Sequence, residues 1–199
     1  SPKSSLHPLN SCVITTGEVR LSYVNVFEPS ADPSGNLKYS AMLLIPKSDT
    51  KTIAAIEAAI KEATVLGKDK KFQGKIPAKL TSPLQDGDGV RPTDGEPYGE
   101  ECQGHYLINA KANPSYPPKV VDRHRQEILD QSEVYSGCYA RANISFYAYN
   151  TNGNKGIACG LNAIQKIRDG EPLGGTRVSV EEAFGDDFVE DDNLDDMFG

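Results

Sequence analysis

Residues 134–175 read VYSGCYARANISFYAYNTNGNKGIACGLNAIQKIRDGEPLGG, and the fold is decided there. A Ser-Gly turn at Ser136 and Gly137 opens the stretch, and the next dozen residues alternate. Cys138, Ala140, Ala142, Ile144, Phe146 and Ala148 fall on one side; Tyr139, Arg141, Asn143, Ser145, Tyr147 and Tyr149 fall on the other. Side chains change face at every residue of a strand, so this is a half-buried strand with a small, apolar inner face. Asn150-Thr151-Asn152-Gly153-Asn154 supplies turn chemistry, because Asn and Gly tolerate positive φ. A second strand then returns from Gly156 towards Ile167. The product is a long hairpin whose outer face carries three phenolic rings and a guanidinium. Such a face suits the stacking of unpaired bases, with attraction for the phosphates between them. The plainer reading is that the tyrosines are ordinary cross-strand partners, covered by another part of the fold.

Upstream of the hairpin, the spacing predicts three more strands and one helix. CVITTGEVRLSYVNVF (12–27) is rich in β-branched and aromatic residues, with Gly17 marking a bulge or a break. EPSADPSGN (28–36) is a turn, and LKYSAMLLI (37–45) is a second strand. Ser48 or Asp49 caps a helix whose stripe is Ile53, Ile56, Ile60 and Ala63, with Gly67 as its stop. Lys68, Lys70, Lys71, Lys75 and Lys79 follow as a basic run, either a solvated face or a phosphate track. Residues 81–103 read as loop chemistry throughout. HYLINAKA (105–112) is a third strand, with His105, Asn109 and Lys111 on one face and Tyr106, Ile108 and Ala110 on the other. Pro114, Pro117 and Pro118 break the chain and display Tyr116; Lys119–Asp122 is short and extended, and Arg123-His124-Arg125 adds charge beside it.

The chain's 199 residues leave room for one good-sized domain with insertions. A hydrophobic content of 38% and a mean hydropathy of −0.47 are those of a soluble protein. No apolar run approaches the roughly 20 residues of a bilayer span. SPKSSLHPLNS at the start lacks the apolar core of a secretion signal, which makes the cytoplasm the expected compartment. The cysteines are scattered without a CxxC pair and read as free thiols. Cys102-Gln-Gly-His105 is half a zinc site without its complement, and no glycine loop cradles phosphates, so neither a metal nor a cofactor is expected.

The net charge of −7 is unevenly spread. Nine acidic residues and no basic one lie between Glu181 and the end; subtracting them from 28 leaves 19 acids against 21 bases, about +2 for the body. The tail has too much charge to fold alone, yet Phe184, Phe188, Met197 and Phe198 recur in it. A segment of this composition docks rings on a partner while its carboxylates steer the approach; the bland alternative is a solubility tail.

Several blocks together resemble a known family: LSYVNVFEPS, KYSAMLLIPK, PLQDGDG, YLINAKA, VVDR, the whole hairpin through GEPLGG, and the acidic terminus. They are similar to the single-stranded DNA-binding proteins of tailed bacteriophages. The resemblance covers about residues 17–175 plus the tail. It implies an OB-fold core that binds single strands with little sequence choice, and an acidic end that contacts replication or recombination proteins. For a phage-encoded chain the compartment would be the host bacterial cytoplasm. The family pattern implies a basic residue directly after Gly17, where Glu18 stands; Arg20 is the candidate to take its place.

The expectation is therefore a mainly β, OB-fold-like, five-stranded Greek-key barrel with one helix and large connecting insertions. Its strands would run over 13–27, 37–45, 104–112, 138–150 and 156–167. Residues 1–11 form a loose arm, 12–175 the DNA-binding domain and 176–199 a disordered acidic tail. Tyr139, Tyr147 and Tyr149 are the expected stacking platforms, and Arg20, Lys70, Lys71, Lys111, Arg123, Arg141 and Lys155 the expected phosphate contacts. Asp191, Asp192, Asp195, Asp196 and Phe198 are the expected partner contacts, and the reading leaves room for a homodimer. No enzymatic activity is expected. The rival readings are a metal-dependent nuclease using Asp86, Asp88, Asp94 and Glu96, which sit in a Gly-rich loop ill suited to precise placement, and a strand-annealing protein on the same fold.

Overall fold

The computed structural model describes residues 11–173. The elements in order are β1 (Val13–Thr15), β2 (Val19–Ala31), β3 (Leu37–Pro46), α1 (Thr50–Lys70), β4 (Leu84–Asp86), β5 (His105–Ala112), β6 (Lys119–Val121), β7 (Tyr139–Thr151) and β8 (Asn154–Arg168). Five of these strands close on themselves. β7 pairs with β2, β2 with β3 and β3 with β5, all antiparallel. β5 meets β8 in parallel at Lys111 and Gly160, and β8 returns antiparallel along all of β7. The arrangement is the OB-type barrel that the sequence pattern implies.

The inner face of β7 is as its alternation predicts: Cys138, Ala140, Ala142, Ile144, Phe146 and Ala148 are all buried, against Leu21, Leu43, Ile45, Ile108, Ile157 and Ile164. Gly17 proves to be a break. β1 and β2 pair consecutively with the same side of β7, through Val13–Ser145 and then Val19–Ala140. Asp49, rather than Ser48, caps α1: its carboxylate accepts from Thr52 N at 3.1 Å and Thr52 Oγ1 at 2.7 Å.

Two expectations are corrected. Gly67 does not stop the helix, which continues to Lys70. It is instead the point of closest approach between α1 and β7: a Cβ there would collide with the Ala148 methyl. Residues 81–103 are not loop throughout, because Leu84–Asp86 pairs with Tyr106–Ile108 of β5. The rest of that segment folds back over the outside of the barrel. Leu44, Cys102 and Leu107 form a small second cluster there, with Met42 and Tyr98 against it. This flap covers one half of the outer face of β3 and β5 and leaves the half that bears Ser40 and Lys111 open.

All four cysteines are free and buried, and burial pushes the Cys102 thiol up to about 11, which makes it inert at neutral pH. No helix among the described residues is long and apolar enough to cross a membrane. The expected N-terminal arm, save Ser11, and the tail with Asp191, Asp192, Asp195, Asp196 and Phe198 lie outside the described residues.

Candidate nucleic-acid interface

On the outer face of β7, Tyr147 is 51% exposed and Arg141 is exposed, while Tyr139, Asn143, Ser145 and Tyr149 are half-buried. The three rings have different surroundings. Tyr147 borders a groove of about 320 Å³ lined also by Lys111, Asn113, Tyr116, Lys119 and Asn162. Strand pairing assembles it. Lys111 of β5 pairs with Gly160 of β8, which pairs with Ser145 on the same face as Tyr147. Lys119 arrives because β6 runs parallel to β8 with Lys119 opposite Ala163. Tyr116 stands on the turn between β5 and β6, 78% exposed. Asn113 fixes that turn, its carbonyl accepting from Tyr116 N at 2.8 Å and its Oδ1 from Ser115 N at 2.9 Å, and the flanking prolines stiffen it. Two rings and two ammonium groups thus share one open groove, the combination that holds bases by stacking and phosphates by charge.

Tyr149 lies at the far end of the hairpin, opposite Gly156. Here Asn150 Nδ2 donates to the Lys71 carbonyl at 3.0 Å, Thr81 N donates to the Lys155 carbonyl at 3.1 Å, and Ile157 N donates to the Thr81 carbonyl at 3.0 Å. These bonds bring the chain at Lys70 and Lys71 beside the hairpin end that carries Lys155, so part of the basic run borders the same end of the barrel.

Tyr139 sits about 27 Å along the strand from Tyr147, at ~3.4 Å per residue, and is covered. The Arg168 guanidinium stacks 3.8 Å from its ring centroid and that of Arg20 lies at 5.6 Å. Glu18 takes Arg168 with both oxygens, at 3.1 and 3.0 Å, and that hydrogen bonding raises the Arg168 pKa. The acidic residue after Gly17 therefore has a structural partner. Arg20 donates to the carbonyls of Gly137 and Glu171, and Arg141 Nε donates to the Thr16 carbonyl at 3.0 Å. These groups are anchored by the protein itself. Arg123 lines a separate hollow of about 420 Å³ together with Asp122, Glu127, Asp130, Glu133 and Asp169. The carboxylates there outnumber the cations Arg123, Lys166 and Arg168, so the hollow is a poor path for phosphate despite its size.

Tyr116 and Lys119 are the residues that sequence reasoning left out of the site. The prolines around Tyr116 were a visible signal of a displayed ring; nothing local marked Lys119.

Residues 12–197 match the family model of the single-stranded DNA-binding protein of Enterobacter phage Enc34. The chain belongs to this family. Over 178 residues it is 34% identical to putative protein p50 of Acyrthosiphon pisum secondary endosymbiont phage 1, covering 87% of this chain and 92% of that protein. Among solved structures it is similar to the single-stranded DNA-binding protein from bacteriophage Enc34, with a TM-score of 0.67 at 28% identity over 87% of this chain and 90% of the other. The same phage protein in complex with single-stranded DNA gives 0.66 at 30% identity over 82% and 90%. The bacteriophage T7 protein gp2.5, at 15% identity over 82% of this chain and 90% of that one and a TM-score of 0.55, shares the fold.

In this member of the Enc34 family, the acidic loop of the nuclease reading is occupied by cations. Lys47 Nζ donates to Asp86 Oδ1 and to Asp88 Oδ2, both at 2.7 Å, and stands over the Tyr106 ring. Asp94 holds Arg91 at 2.9 and 3.2 Å. The hydrogen bonds from Lys47 hold both carboxyls below their ordinary range and keep the ammonium charged. A divalent ion would have to displace these partners. Among the described residues, no three His, Cys, Asp or Glu side chains gather as a metal site.

Proposed function

We infer that this protein binds single-stranded DNA and that the groove between Tyr147 and Tyr116 is where it takes up unpaired bases. The observation that carries the reading is the meeting of two exposed rings with Lys111 and Lys119 in one open groove. Support comes from membership in a family whose Enc34 member, similar in fold at 30% identity, is known in complex with single-stranded DNA. Each ring stacks on a base face, which every base has, so sequence choice is weak. Duplex DNA keeps its base faces stacked within and gains nothing from the rings. Lys155 with Lys70 and Lys71 continues the phosphate track at the hairpin end, while Tyr149 borders it. Tyr139, Arg20 and Arg141 contribute through the architecture that holds β2 against β7.

The test is a titration of oligo-dT and of duplex across a series of salt concentrations. Lys111→Gln and Lys119→Gln are each expected to reduce the slope of log K against log salt by about 0.7, the value for one phosphate contact on a single strand. Slopes equal to that of the unaltered protein would place the phosphates elsewhere.

The same reading divides the chain into a binding domain (12–175) and an acidic segment (176–199) that recruits replication or recombination proteins. Nine carboxylates in the latter mimic a DNA backbone and compete for the groove. Deleting residues 181–199 is expected to tighten oligo-dT binding several-fold at low salt and to have little effect at high salt, where the attraction is screened. The deletion is also expected to abolish capture of the partner. Unchanged low-salt affinity would remove the competition.

A further inference from the structure

β2 and β3 change register between Ser22–Met42 and Asn25–Ser40, so Tyr23 and Val24 together oppose the single residue Ala41. This is a β-bulge, a device that bends a strand and re-aims a side chain. Val24 takes the inner position and packs against the core. Tyr23 is the extra residue and is turned outward, 65% exposed. Its φ is +49°, in the left-handed region that a bulky residue adopts only at a cost. Glycine would fill this position without strain, and strained positions of this kind concentrate at functional surfaces.

The bulge places Tyr23 beside the groove. Ser22 and Asn25, its neighbours on the outer face, pair with Met42 and Ser40 of β3, and Ser40 pairs with Lys111 of β5. Tyr23 therefore lies two strands from Lys111, about 10 Å across the sheet. Ser40, partly exposed, lies between them. Arg91, whose charged form is favoured chiefly by Asp94, lies within electrostatic reach of Tyr23.

We propose that Tyr23 is a third stacking platform, set on the outer face by the bulge, on which a single strand leaving the Lys111 groove lays its next base. The proposal rests on the groove reading and extends it across β3. It predicts that stability and binding separate at this position. Tyr23→Gly removes the ring and relieves the backbone, so its Tm is expected to equal or exceed that of the unaltered protein, while oligo-dT affinity falls roughly ten-fold. Tyr23→Phe keeps the ring and is expected to bind within about two-fold, since stacking needs the π face. The chain has no tryptophan, so Tyr23→Trp provides a single reporter whose fluorescence is expected to be quenched when oligo-dT binds. Tyr147→Ala is measured alongside. If Tyr147→Ala weakens binding but Tyr23→Gly does not, Tyr23 is no platform and the groove stands; if neither weakens it, the groove reading fails as well. A Tm for Tyr23→Gly lowered by more than glycine's added chain entropy explains would mean that the ring serves packing, which also overturns the proposal.

Discussion

Replacing both Tyr147 and Tyr116 by alanine is expected to weaken oligo-dT binding about a hundred-fold or more while leaving the fold intact. Each base stacked on a ring is worth about 1–3 kcal/mol, and about 1.4 kcal/mol is a factor of ten in affinity. Two rings therefore account for at least two orders of magnitude near the middle of that range. The cost to stability is small because neither ring is part of the core: they are 51% and 78% exposed, and surface substitutions of this kind usually stay within about 0.5 kcal/mol. Duplex affinity is expected not to move, since its bases never reach the rings. Tyr139→Ala is the informative contrast. That ring is stacked by Arg168, itself held by Glu18, so its loss is expected to lower Tm more than it lowers affinity. If the double variant bound single strands within two-fold of the unaltered protein, the groove would not be the base-binding surface.

Gly67→Ala is expected to lower Tm by about 4–8 °C, although it replaces the poorest common helix former by the best. The helix gain is about 1 kcal/mol. Against it, the new methyl meets the Ala148 methyl at less than contact distance, with the Phe72 ring 3.4 Å away on another side. Ala148 and Phe72 are both buried, so neither can move aside without shifting α1 from β7. Overpacking of this kind costs about 1–3 kcal/mol or more. A net loss of about 2 kcal/mol corresponds to that Tm shift in a domain of this size. The cause is checked by a second exchange: Ala148→Gly in the Gly67→Ala background is expected to recover most of the loss, because it returns the missing volume to the contact. An unchanged Tm for the single variant would mean that α1 and β7 are less tightly joined than their geometry implies.

The two variants probe different kinds of information in the chain. The β7–β8 hairpin was legible because it is local. Period-two alternation states which residues enter the core, and Asn152-Gly153 states where the chain turns. The helix stripe was legible for the same reason at period 3.6. Gly67 was misread because a glycine near a helix end looks alike whether it terminates the helix or admits a neighbouring strand; only the position of Ala148 distinguishes the two. β4 was missed because three residues paired to one strand carry too little pattern to be told from a loop.

For the site, sequence by itself determined that Tyr147 and Lys111 point outward, since each belongs to an alternating strand. It also carried the resemblance to the family, through long blocks of residues, and the family model matches residues 12–197. The tertiary structure decided which outward groups meet. Tyr116 and Lys119 join Tyr147 because β6 lies parallel to β8, a pairing between segments more than 40 residues apart in the chain. Tyr139 is partly covered by arginines contributed from two other strands, and Tyr23 is turned out by a bulge that has no sequence signature. A strand's alternation is fixed by the geometry of one backbone, whereas the neighbours of its outer face are fixed by the closure of the barrel, to which distant segments contribute together.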